Sequence, residues 1–307
     1  MLTPYPQPGG EADAVWLDLF DPSDAERRRA SEHIGSDLPT RKQLASLALS
    51  SRMAPGEDLL CISVPAFVRD DGGSGAPTPL GVLLTPRLLV TLRFAKSNAF
   101  ERLLADTAHA AAPLSSVALF VGLFEAIAAT ASDRMQDVSR ELSELSHKVF
   151  EDRPDHSRAL RGVLFQIGRI QRELTRVSAA MLGVERGLAH LCDSAPPWID
   201  KSDVARLVGV RKDLHALSDY DQQMDDKLQF LLDATLGFIN NDQNDLIKFL
   251  TIASVVTIPP IILAAIWGMN FRSIPEYGWA HGYAFAWTMI LLSMLLPLAW
   301  FRWKRWF

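Results

Sequence analysis

Residues 249–271 read FLTIASVVTIPPIILAAIWGMNF and contain no Asp, Glu, Lys or Arg. A second run without those residues extends from Tyr277 to Phe301, with His281 the one side chain in it that titrates near neutral pH. About 20 apolar residues of helix cross a bilayer core, so each run is long enough to span. The connection between them, residues 268–283, is too short to be a domain. The pattern predicts a helical hairpin through a membrane, with spans over residues 249–267 and 284–301. Basic residues set its direction. Lys248 precedes the first span, Arg302, Lys304 and Arg305 close the chain in a tail over 302–307, and the connection carries only Arg272 against Glu276. Positive charge on the side of both ends places both termini in the cytoplasm and the turn outside.

Upstream of the hairpin, Leu207, Val210, Leu214, Leu217, Asp221, Met224, Leu228, Leu231, Thr235 and Phe238 step by three and four residues. That is the seam of a bundled or supercoiled helix, here a stalk over residues 201–248. No proline separates it from the first span, so Lys201 to Trp267 is expected as one helix, about 100 Å long at 1.5 Å per residue. Gly209 and Gly237 weaken it, each by about 1 kcal/mol relative to Ala.

Residues 1–200 read as a cytoplasmic α+β domain, strands first and long helices after. The first 14 residues are expected to be unstructured. Ser23 and Glu26 mark a capping box opening a helix to about Ile34. Strands are predicted near 15–19, 59–68, 79–85 and 88–94, forming an antiparallel or mixed sheet, and long helices over 113–150 and 157–192. The stretch DDGGSGAPTP at 70–79 lacks the Lys-Ser/Thr and the following helix of a phosphate cradle, and reads as a loop.

Several function classes are excluded. A net charge of −5 gives no global basic field for nucleic acid. Cys61 and Cys192 match no metal or redox spacing and read as reduced thiols. The seven histidines form no HxxxH or HExxH pair. No G-x-S-x-G elbow, P-loop or dinucleotide fingerprint is present, so neither an enzyme nor an organic cofactor is expected. The start of the chain has no apolar segment of a cleaved signal peptide.

What remains is polar chemistry at the first span. Asn240, Asn241, Asp242, Gln243, Asn244 and Asp245 crowd its cytoplasmic end, and Thr251, Ser254 and Thr257 lie inside it. Such hydroxyls either bond back to their own helix and mediate helix contacts or line a water-filled path. Pro259-Pro260 frees backbone carbonyls at membrane depth, tolerated only against protein or water. That favours a pore-lining helix.

These residues carry a resemblance. Gly268-Met269-Asn270 at the outer end of the penultimate helix, followed by Phe271, Pro275 and Glu276, resembles the signature of the CorA family of divalent-cation channels. Gly237-Phe238-Ile239-Asn240, Gln243-Asn244 and Ile247-Lys248 resemble its segment before the pore. Val255-Val256 and Pro259-Pro260 resemble its mid-pore, and Lys304-Arg305-Trp306-Phe307 its C-terminus. Looser, colinear similarity to the enterobacterial branch extends upstream through Leu38-Pro39-Thr40-Arg41, Ser51-Arg52 and Leu123-Phe124-Glu125.

The resemblance implies a homopentamer in the lipid bilayer of the bacterial inner membrane, taking up hydrated Mg2+, with Co2+ and Ni2+ as passengers. Its selectivity filter would be Gly268, Met269 and Asn270, an inner polar ring Asn244, and apolar gates Ile247, Leu250 and Ile258, with Thr251 and Ser254 on the same pore stripe. Neutral amides suit Mg2+, which dehydrates reluctantly: they bond its water shell without holding the ion too tightly to conduct. Arg272 departs from the acidic residue common in relatives, while Glu276 is kept. Positions 247 and 258, methionine in some relatives, are Ile. From the residues themselves, Asp219, Asp221, Asp225 and Asp226 on the stalk are candidate ligands for regulatory cytoplasmic Mg2+ between subunits. Asp221 falls on the apolar seam, where an unpaired charge is costly. The alternatives are a Zn2+ transporter of the related ZntB branch and a two-span anchored scaffold or signalling protein.

Overall fold

The computed structural model describes residues 1–5, 14–47, 52–53, 58–66, 78–108, 114–151, 157–193, 195–270 and 278–304. The chain divides into two compact units, Met1–Arg153 with Gly162–Leu231, and Pro154–Arg161 with Leu232–Phe307.

The first unit is built on a mixed six-stranded sheet of order β1-β2-β6-β5-β4-β3, with β1 Leu2–Tyr5, β2 Trp16–Phe20, β3 Arg52–Met53, β4 Leu60–Ala66, β5 Thr78–Leu84 and β6 Leu89–Arg93. Strands β2 and β6 run parallel and all other neighbours antiparallel. The expectation that residues 1–14 are unstructured fails at its start. Leu2 to Tyr5 pair with Leu19 to Trp16, and Tyr5 stacks on Trp16 with ring centroids 4.5 Å apart. Across the parallel pair a buried polar chain runs: Trp16 Nε1 donates to Thr91 Oγ1 at 3.0 Å, and Thr91 donates to Asp18 at 2.9 Å. Arg93 closes it, its Nε and an Nη holding both oxygens of Asp18, with Phe20 and Phe100 4.8 Å from its guanidinium.

Helix α1 Asp24–Ile34 begins at the predicted capping box, Ser23 donating its backbone N–H to Glu26 Oε2 at 2.9 Å. The bonds from the Ser23 backbone and hydroxyl hold the Glu26 carboxyl down to about 2. Gly35, at φ 73°, ends the helix as only an unhindered residue readily does. Helix α2 Arg41–Leu47 repeats the device with Thr40 and Gln43.

After the sheet come α3 Asn98–Ala108, α4 Ser116–Phe150 and α5 Ser157–Asp193, followed by α6 Lys201–Trp267 and α7 Gly282–Trp303. Helices α4, α6 and α7 are all long and apolar enough to cross a membrane. Burial separates them. The apolar window of α4 is 67% buried in its own unit, those of α6 and α7 only 6%, so α4 is a core helix. Polar links tie α4 and α5 to α6: Ser139 to Tyr220 at 2.7 Å, Gln171 to Asp225 at 2.8 Å, and Arg206 to both oxygens of Glu125. Helix α5 meets β4 through glycines. A Cβ at Gly183 would fall 2.5 Å from the Pro65 ring, and one at Gly187 3.2 Å from Val64.

The seam of α6 is buried at Leu207, Val210, Leu214, Met224, Leu228, Leu231 and Thr235. Leu217 and Asp221 are half-buried, and Phe238 is 37% exposed. The helix continues without interruption through Pro259 and Pro260 to Trp267.

Candidate pore and regulatory acids

In the second unit, the last part of α6 has two unlike sides. Ile252 is buried, and Val256, Pro259 and Leu263 are half-buried, at the spacing of one helix face. Asn244, Ile247, Thr251 and Ile258 are exposed, as is Leu250. At 100° per residue, Asn244, Ile247, Thr251, Ser254 and Ile258 fall within an arc of about 80°, with Leu250 about 40° beyond its edge. The arc lies on the side away from Ile252. Ser254, at its border, is half-buried.

The hydroxyls on this stripe are engaged in one direction. Thr251 Oγ1 donates to the Ile247 carbonyl and Ser254 Oγ to the Leu250 carbonyl, each at 2.8 Å. Bonding back to the helix and lining a path are therefore not exclusive readings. With the proton committed, each oxygen offers only lone pairs outward. An acceptor is the group that the water shell of a hydrated cation can use.

At the far end of α6, Gly268 donates to the Ala264 carbonyl at 3.0 Å and Met269 to Ile266 at 3.3 Å. A Cβ at Gly268 would stand 3.3 Å from the Ala264 oxygen, so glycine lets the chain leave the helix there. Met269 and Asn270 are exposed. Across the turn, the Phe285 ring meets Trp267 edge-on at 6.4 Å and Trp279 at 5.4 Å, so the hairpin is clasped by aromatics just beyond Gly268-Met269-Asn270. Arg272 and Glu276 lie outside the described residues.

The four stalk acids divide into two pairs. Asp225 accepts from Gln171 of α5 at 2.8 Å. Asp221 is half-buried, one oxygen enclosed without a hydrogen-bond partner. Burial pushes its carboxyl up, as does the neighbouring Asp225 charge, against a lowering bond from Ser178. Asp219 and Asp226 are exposed. Among the described residues of one chain, no three His, Cys, Asp or Glu side chains come together as a metal site.

Sequence reasoning missed the pairing of Gln171 and Ser178 with these acids. The signal was their place on α5, whose buried stripe at Ile170, Leu174 and Val177 turns it toward a neighbouring helix.

Comparison with known proteins gives the same picture from the whole length. The CorA-like Mg2+ transporter protein family model matches residues 11–305. The magnesium transport protein CorA of Salmonella typhimurium is 31% identical over 300 residues, covering 96% of this chain and 92% of that protein. The CorA of Escherichia coli is 30% identical over the same shares. Among solved structures, the complete CorA magnesium transporter of Methanocaldococcus jannaschii superposes with a TM-score of 0.78 at 21% identity, covering 96% of this chain and 92% of that one. An α+β unit, a long helix running into a C-terminal hairpin, and a match across nearly the full sequence agree: the chain belongs to the CorA-like Mg2+ transporter family.

Proposed function

We propose that the protein is a channel for uptake of hydrated Mg2+, formed by a ring of five copies in a bacterial inner membrane. The observation that carries this reading is the open stripe on α6, in which the hydroxyls of Thr251 and Ser254 present acceptors beside the apolar side chains of Ile247, Leu250 and Ile258. One copy of such a helix encloses nothing; several copies facing inward enclose a path. Gly268, Met269 and Asn270 form the outer filter, Asn244 the inner polar ring, and the three apolar residues the narrow gates. Arg272 and Glu276 flank the mouth, where a ring of arginine lowers the local concentration of cations. Both termini are cytoplasmic, consistent with the basic residues around the spans. The membrane potential drives entry, a divalent ion gaining about 4.6 kcal/mol per 100 mV. Co2+ and Ni2+ follow as weaker substrates.

Cytoplasmic Mg2+ closes the channel by binding Asp219, Asp221, Asp225 and Asp226 between copies. Its depletion leaves like charges that loosen the bundle.

Mg2+ flux into proteoliposomes, with an indicator dye inside and a negative interior potential, tests the reading. Flux abolished by Asn270→Ala is the expected result. No flux of any divalent cation through the unaltered protein would overturn it and favour a two-span scaffold. Loss of inhibition by internal Mg2+ when the four acids are changed to Asn tests the regulatory part; unchanged inhibition sinks it.

A further inference from the structure

Helices α4 and α6 leave a groove beside them in the first unit. Two cavities of about 560 and 450 Å3 share Glu125 and Ala129; the first lies mainly between α3 and α4, the second between α4 and α6, and neither is lined by a residue of α5. Small side chains line the lower cavity, Ala128 and Ala129 of α4 and Ala216 of α6. Its acids are not equivalent. Glu125 is taken up by Arg206, whereas Asp213 is exposed and makes no ion pair among the described residues.

Helix α5 carries the complement on an exposed stripe. Ala179, Leu182 and Arg186 follow at three- and four-residue spacing, all three exposed. Leu182 is 47% accessible, and Arg186 makes no ion pair among the described residues. The heights agree as well. The pair between His215 and Glu185 at 3.5 Å sets α5 against α6, so Leu182 and Arg186 stand level with the stretch from Asp213 to Leu217. A rotation about an axis parallel to α6 keeps that level.

We propose that the α5 stripe of one copy docks in the α4–α6 groove of the next, with Leu182 over the alanine floor and Arg186 beside Asp213. The occupant is a second copy of this chain because stripe and groove are opposite in charge and shape, equal in height, and formed by different helices of one unit. A contact between two different surfaces is head-to-tail, and it closes into a ring when the rotation permits. The inference rests on the reading that the chain assembles as a ring, and it adds which surfaces meet.

The test uses the full chain in detergent with Cys61→Ser and Cys192→Ser. Leu182→Cys combined with Ala216→Cys is expected to give a ladder of oxidant-dependent, disulfide-linked oligomers on a denaturing gel. Phe165→Cys with Ala216→Cys, placed far along α5 from the groove, is expected to give none. Native mass spectrometry reads assembly separately. Oligomers without the Leu182 ladder overturn the pairing of surfaces and leave the ring reading intact; monomers overturn both. Arg186→Asp and Asp213→Arg should each reduce the oligomeric fraction several-fold, and the double reversal should restore it. No restoration refutes the Arg186–Asp213 contact.

Discussion

The Thr251 hydroxyl donates to the Ile247 carbonyl, one turn earlier on the open stripe of α6, at 2.8 Å. If its oxygen serves as an acceptor for water around the passing ion, Thr251→Val should lower Mg2+ flux several-fold while leaving assembly unchanged. Thr251→Ser, which keeps the oxygen, should retain most of the flux. Equal flux in all three proteins would show that the oxygen is a structural detail only.

Asp221 gives a prediction with a defined sign. Burial raises its carboxyl in the folded chain above the ordinary value of 3.8. A raised acid contributes stability below its unfolded value and loses it as pH rises through the folded one. At pH 7 the charged form therefore opposes folding, and Asp221→Asn should raise the denaturation midpoint there. The gain should shrink as pH falls toward the ordinary carboxylate range. A variant that is more stable yet less responsive to internal Mg2+ would separate the regulatory role from a structural one.

Glycines at two positions should respond in opposite directions. Gly183→Ala sets a Cβ 2.5 Å from the rigid Pro65 ring, and the resulting shift of α5 from β4 should cost about 1–3 kcal/mol. Gly209→Ala meets nothing within 4 Å and sits inside α6, so it should stabilise by up to about 1 kcal/mol. Thermal unfolding of the purified full chain reads both. A stable Gly183→Ala protein would mean the α5–β4 approach is looser than drawn.

Removing the acid from the buried pair in the sheet should be severe. Asp18 is 3% exposed and Arg93 18%, so Asp18→Ala leaves a guanidinium and the Thr91 hydroxyl without their partner. The expected loss is about 3–5 kcal/mol, read as a lower urea midpoint. Asp18→Asn should recover part of it through the remaining oxygen.

Elements governed by one dominant force were legible in the sequence. The capping residues fixed the start of α1, the three-four periodicity drew the seam of α6, and uninterrupted apolarity marked the last two helices. Strand β1 was hidden because Leu-Thr-Pro-Tyr has no strand pattern of its own; its conformation comes from pairing with β2 across the sheet. The stalk acids looked like one cluster because they are close in sequence. Helical geometry separates them, turning Asp221 and Asp225 toward α5 while Asp219 and Asp226 stay open. Polar contacts such as Gln171 with Asp225 connect residues far apart in the chain, and no local signal specifies them. Residues 113–150 read as a helix of the α+β domain although their apolar window is long enough to cross a membrane; what separates α4 from the last two helices is the protein packed around it.

Because α6 runs unbroken through the second unit, Thr235, buried at the end of the seam, and the open stripe from Asn244 to Ile258 share one screw. Inserting a single residue between Thr235 and Asn244 would turn one relative to the other by about 100°, whereas seven residues would turn it by only about 20°. Tolerance to insertions there should follow the pitch of the helix and not the number of residues added. Thr235 is thereby the angular reference from which each side chain of the stripe takes its bearing.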